Sequence, residues 1–178
     1  IPLHCLYTMR KGEIAMDNVR GTPIEVSEDI VRIKSVEGST ACVLFDREKN
    51  ECSIYLDRPL ECRALKCWDT RDIEEAYTEE RLSRNELLEK SRDFAELVDY
   101  HESKCDHRKI RELIAVLDDG KNSAALEQLR EILAFDDHLR GLVVEKTSWD
   151  EKFLDFLFGR PLIQILPGLG LKVVRKDG

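Results

Sequence analysis

Six cysteines are the residues of this sequence most able to do chemistry, and four of them are clustered. Cys42, Cys52, Cys62 and Cys67 follow the spacing C-x9-C-x9-C-x4-C. Thiolates are ligands for soft or borderline metals, and four of them complete a tetrahedral zinc site or hold an iron–sulfur cluster. The spacing alone is not specific, because it has neither the paired C-x2-C of zinc ribbons nor the C-x2-C-x2-C run of bacterial ferredoxins.

The size and charge of the chain favour metal ligation over disulfide bonding. With 178 residues it is long enough to bury a core, so it does not need crosslinks to fold. Its 28 basic and 36 acidic side chains give a net charge of -8. A surface this acidic repels phosphate backbones, so no nucleic-acid binding is expected. No run of about 18 apolar residues occurs, so we expect no membrane span and a location in the reducing cytoplasm.

The elements that carry the cysteines can bring their side chains together. Residues 41–45 and 52–56 are short runs of strand-forming residues around a polar stretch, which predicts a hairpin with one clustered cysteine on each arm. Pro59 ends the second arm, and the other two clustered cysteines follow on a bend. The sequence therefore predicts that all four thiols converge at one end of a hairpin.

Helices are predicted on both sides of this hairpin. Before it, Ser27 and the acidic residues that follow are typical of a helix N-terminus, and Gly38 would end this short helix. After residue 70, Gly and Pro almost vanish and apolar residues recur at helical spacing. The last helix is predicted over 149–158.

The predicted fold class is α+β and mainly helical. A small Cys-rich β-hairpin module at residues 1–70 would bind the metal, and a helical region at residues 71–178 would follow. The apolar tail that begins at Leu162 is expected to close over the core as a strand, and docking of a protein partner on the helical region or the tail is the alternative.

The residues between the cysteines resemble a known family. From Cys52 to Cys67 the sequence reads C-x2-Y-x2-R-P-x2-C-R-x3-C. This resembles the signature of the YkgJ-like cysteine-cluster family, described as zinc- or iron-chelating proteins. The stretch 22–30 is also similar to the family segment upstream of the cluster, and the resemblance covers about residues 20–70.

The resemblance implies one metal site with a reduced ligand set. Family members usually begin with a C-x2-C-x2-C-C group, and here only Cys5 stands in that region, so the other members of that group either precede Ile1 or have been lost. The implied ligands are Cys42, Cys52, Cys62 and Cys67, with Cys5 joining or replacing one of them.

Two arginines are expected beside the metal. Arg58 and Arg63 flank thiolates whose summed charge would be strongly negative, so their guanidinium groups could donate hydrogen bonds to the sulfurs and reduce that charge. Pairing with surface carboxylates is the alternative for both. Tyr55 is expected to be a packed aromatic residue of the hairpin rather than an acid catalyst.

The identity of the metal separates three hypotheses about function. Four thiols serve zinc and iron–sulfur clusters alike, and we expect iron or an iron–sulfur cluster ahead of zinc. The first hypothesis is a protein that handles metal or electrons or assists a larger enzyme. The second, taken from relatives that look like protein lysine methylases, is a cluster-assisted methyltransferase-like enzyme. The third is an interaction module that zinc holds together.

A second concentration of ligand-type residues lies in residues 100–107. His101 and Cys105 are four residues apart and share a helix face, where they could add ligands or form a second site. Alternatively, His101 continues an apolar stripe and Cys105 is a small buried residue. A nucleophilic pair of Cys105 with His107 or His138 is conceivable, but no nucleophile elbow surrounds it.

Overall fold

The computed structural model describes residues 1–17, 20–66, 68–76, 82–89, 92–117, 122–147 and 149–171. Helices account for 54% and strands for 15% of it. Small antiparallel hairpins occupy the N-terminal part and helices follow, which confirms the predicted α+β, mainly helical class. Cys67 and the end of the tail, residues 172–178, lie outside the described residues.

The strands form two-stranded antiparallel pairs. Their bounds are β1 (Leu6–Met9), β2 (Ile14–Asp17), β3 (Thr22–Glu25), β4 (Ile30–Ile33), β5 (Phe45–Asp46) and β6 (Glu51–Cys52). β1 pairs with β4, β2 with β3, and β5 with β6. A hairpin forms at the predicted place, but β5 and β6 share only Phe45 and Cys52 with the predicted runs 41–45 and 52–56. The sequence predicts Cys42 on the first arm, but Cys42 instead lies before β5, where it bridges Ser35.

The prediction of a helix that starts at Ser27 is wrong. Residues 30–33 form β4, in which Ile30 lies opposite Met9 and Ile33 opposite Leu6. The reason is that three of the four residues of β4 are β-branched and prefer an extended backbone, and β1 offers them an antiparallel partner. Tertiary pairing here outweighs the local helix-start signal.

The helices occupy the rest of the described chain. Their bounds are α1 (Leu60–Ala64), α2 (Arg71–Ala76), α3 (Arg84–Leu88), α4 (Arg92–Lys104), α5 (His107–Ala115), α6 (Ser123–Thr147), α7 (Leu154–Phe158) and α8 (Leu162–Ile165). The last predicted helix is only partly regular, since a 3-10 turn at Glu151–Phe153 precedes α7. The predicted strand of the tail is wrong, because α8 and a 3-10 turn at Leu166–Leu169 take its place.

The core forms around α7. Phe156, Leu157 and Phe158 are fully buried, and the cluster around them includes Leu6 of β1. The Thr8 hydroxyl donates to the Phe156 carbonyl at 2.6 Å, which fixes β1 on α7. A second cluster joins α5, α6 and α8.

The apolar C-terminal segment therefore packs largely in the core, which is the expectation that the sequence favours over docking of a partner. Since β1 and α7 share one cluster, the N-terminal strands and the helices pack on each other. The division at residue 70 stays a prediction. In the described part of the chain, every helix is too short or too polar to span a bilayer.

Candidate metal centre

Three of the four clustered cysteines lie in the described residues, and we call them the thiol cluster: Cys42, Cys52 and Cys62. Cys42 forms a bridge with Ser35 just before β5, Cys52 ends β6, and Cys62 lies in α1. All three are free thiols. Pro59 stands at the start of α1, where its fixed φ suits a first helical turn, and this turns Cys62 back after the hairpin.

The three cysteines of the thiol cluster interact electrostatically. Burial raises the pKa of Cys62, and the negative charges of Cys42 and Cys52 raise it further. The influence of Cys42 and Cys52 on Cys62 shows that the three cysteines lie near one another. Cys42 and Cys62 are exposed and Cys52 is half-buried, so an incoming ion can reach their sulfurs. Three neighbouring cysteine sulfurs are a donor set that a thiophilic cation can bind as thiolates.

Arg58 lies beside the thiol cluster. Its positive charge opposes the rise in the pKa of Cys62. Its guanidinium stacks 3.6 Å from the centre of the Tyr55 ring, and its Nε donates to the Tyr55 carbonyl at 2.8 Å. Tyr55 thus holds Arg58 in place and is itself exposed. Arg63 is exposed on α1.

Cys5 lies next to the strand that leads to Cys42. Its carbonyl accepts the Lys34 amide at 2.8 Å, and the Lys34 carbonyl accepts the Val43 amide at 3.1 Å. The backbones next to the two cysteines therefore meet at a single residue. The role of Cys5 as an additional ligand stays a prediction, as does that of Cys67, which lies outside the described residues.

The second group of candidate ligands contains a residue that the motif does not indicate. His101 and Cys105 converge as their spacing predicts, and Asp136 of α6 joins them. All three are buried, and their ligand atoms lie within 4.8 Å of one another. The His101 Nε2 is 2.8 Å from Asp136 Oδ1.

The protonation states in this second group follow from burial and charge. Burial favours the neutral form of Asp136, but the hydrogen bond with His101 and the charge of Arg140 outweigh it and lower its pKa to about 2. Burial lowers the pKa of His101. Burial, with the charge of Asp136, raises the pKa of Cys105 to about 12. Near neutral pH the group thus consists of a carboxylate, an imidazole and a thiol.

These states argue against a cysteine nucleophile. Cys105 is fully buried, and its thiol keeps its proton. His107, the nearest candidate base in sequence, has its pKa lowered to about 3 by burial and by the charges of Arg10 and Arg111. A nucleophilic cysteine needs an accessible thiolate, which this site does not supply.

Comparison with known proteins bears on the N-terminal part. Residues 5–83 match the model of a family described as a "putative zinc- or iron-chelating domain". The matched segment contains the whole thiol cluster, Cys5 and Cys67. No curated protein and no solved structure matches the chain. The match over residues 5–83 agrees with the family resemblance that the cysteine motif predicts, and it supports metal binding by this part of the chain.

Proposed function

We propose that the protein holds iron, as an iron–sulfur cluster, on Cys42, Cys52, Cys62 and Cys67, with Cys5 as an additional or replacement ligand. The observation that carries the proposal is the proximity of Cys42, Cys52 and Cys62 within the segment that matches a zinc- or iron-chelating family. When bound, the cluster would supply one-electron chemistry. The chain's own contribution is to hold the thiolates together and to place the Arg58 charge beside them.

Exposed apolar side chains around the thiol cluster support a role as accessory to a larger protein. Leu56 is 89% exposed and Trp68 is 85% exposed, and both lie close in sequence to the cysteines. Tyr55, Leu60 and Leu65 are exposed in the same segment. Several large apolar side chains exposed in one short segment are typical of segments that dock on a protein partner. We therefore place the function in metal or electron handling for a protein partner in the cytoplasm.

Anaerobic purification with elemental analysis tests the metal. We expect a coloured protein with iron and inorganic sulfide bound in similar amounts. A colourless protein with one zinc per chain would contradict the electron-handling role and would leave zinc as a structural ion. A protein free of both metals under these conditions would contradict the site itself.

Cysteine substitutions test the ligands. We expect Cys52→Ser or Cys62→Ser to lower bound iron at least tenfold, because serine offers a harder oxygen donor in place of a thiolate. The measurement is iron per chain after gel filtration, together with the visible absorbance. Cys105→Ser is the matched control, since Cys105 lies outside the thiol cluster, and it should keep the iron. Equal iron in all three variants would remove the two cysteines from the ligand set.

A further inference from the structure

We infer that His101, Cys105 and Asp136 form a second, buried site for one divalent transition-metal ion of the zinc type, separate from the thiol cluster. The donors are an imidazole nitrogen, a thiolate sulfur and a carboxylate oxygen. Zinc takes this mixture of ligands in proteins. The inference does not depend on the metal that the thiol cluster holds.

The geometry of the three donors fits one ion. Bonds of about 2.0–2.3 Å to a common metal keep any two ligand atoms within about 4.6 Å. The ligand atoms of His101, Cys105 and Asp136 already lie within 4.8 Å of one another. Binding would draw the three ligand atoms around one ion in place of the hydrogen bond between His101 Nε2 and Asp136 Oδ1, and the proton on Cys105 would leave to solvent as the thiolate binds.

Rigid elements hold the donors in place. His101 lies in the last turn of α4 and stacks on Phe158 with ring centres 4.6 Å apart. The Cys105 amide donates to the His101 carbonyl at 2.9 Å, which continues the helix geometry to the thiol. Asp136 accepts from the Leu162 amide through its other oxygen, also at 2.9 Å. Side chains fixed in this way are preorganised ligands.

Unpaired polar atoms around the donors are the second observation. In the described residues, Nδ1 of the fully buried His101 has no hydrogen-bond partner, and neither do Nε and Nη1 of Arg10. Buried polar groups are rarely left unpaired, and each case calls for an explanation. The Arg10 Nη2 donates to the Cys105 carbonyl at 2.9 Å, so this guanidinium lies beside the thiol. A metal-bound thiolate would be a strong acceptor where a neutral thiol is a weak one.

The charges around the site balance a divalent ion. Asp136 and a Cys105 thiolate supply two negative charges. Arg10 and Arg140 also face the site, but each lies near a further carboxylate: Arg10 Nε is 3.7 Å from Glu102, and Arg140 Nη1 is 3.6 Å from Asp155. Arg140 Nε also donates to Asp136 Oδ1 at 2.9 Å, so the ion would share this carboxylate with Arg140.

A cobalt titration tests the second site without interference from the first. The protein is the whole chain with the four clustered cysteines changed to serine, namely Cys42→Ser, Cys52→Ser, Cys62→Ser and Cys67→Ser. We expect one Co²⁺ per chain and a sulfur-to-cobalt charge-transfer band. Adding Cys105→Ser or His101→Gln should abolish both. His107→Gln is the matched control, because His107 is also buried beside Arg10 but is not one of the three donors, and it should keep the ion.

A parallel measurement covers variants that do not fold. Circular dichroism identifies these, and the comparison is then made in the natural sequence, where Cys105→Ser or Cys105→Ala should hold one zinc fewer per chain than the parent. Equal zinc in parent and variant overturns the inference, as does a charge-transfer band that survives Cys105→Ser. The three residues would then be a buried hydrogen-bonded group and nothing more.

Discussion

Arg84→Ala is expected to destabilise the fold by about 3–5 kcal/mol, the usual cost of removing one partner from a buried ion pair. Arg84 is 1% exposed. Its guanidinium donates to the Leu157 carbonyl and to the carboxylates of Asp29 and Glu102. Alanine would remove the guanidinium that the two carboxylates share, together with the donor to the Leu157 carbonyl of α7.

The measurement is the free energy of unfolding from urea denaturation, followed by circular dichroism. Arg92→Ala is the matched control, because Arg92 also pairs with a glutamate, Glu96, but is 90% exposed. Exposed pairs contribute about 0–1 kcal/mol, so the control should unfold near the parent midpoint. If the two variants unfold at the same urea concentration, the Arg84 network does not hold the N-terminal strands on the helices.

The thiol cluster could be predicted from the sequence because its information is local. Cys52 and Cys62 are separated by a 3-10 turn and a proline. A short connection that contains a turn and a proline has few possible backbone conformations. The prediction of a helix that starts at Ser27 failed because the deciding information is not local. Whether Ile30 and its neighbours form a helix or a strand depends on β1, which lies more than twenty residues away, and no local pattern reports that pairing.

Asp136, the third residue of the second group, lies outside the cysteine motif, but its position in the sequence is informative. Asp136 and Arg140 lie on the face of α6 that also carries Leu129, Leu139 and Val143, and all five are buried. Charged residues at core positions of an amphipathic helix are costly unless they have partners. That pattern indicates a buried polar site, but it does not name His101, because the partner is fixed only when α4 packs on α6.

Gly159→Ala is expected to cost about 3–5 kcal/mol, from backbone strain and steric overlap together. Gly159 ends α7 with φ 74° and ψ -174°, a conformation that is essentially reserved for glycine. A Cβ there would lie 2.8 Å from Arg10 Cδ and 2.9 Å from the Thr8 carbonyl oxygen. The Thr8 oxygen belongs to the backbone of β1, so it cannot move without disturbing the β1–β4 pair.

Gly141→Ala is the control that separates this effect from glycine replacement in general. Gly141 lies inside α6 and is exposed, and a Cβ there would meet nothing within 4 Å. Alanine is the better helix former, so this variant should be more stable than the parent by about 0.5–1 kcal/mol. Thermal unfolding should therefore shift in opposite directions for the two variants. A Gly159→Ala protein that melts with the parent would mean that α7 does not approach β1 as closely as the core requires, since no side-chain rearrangement can relieve a contact with the backbone of Thr8.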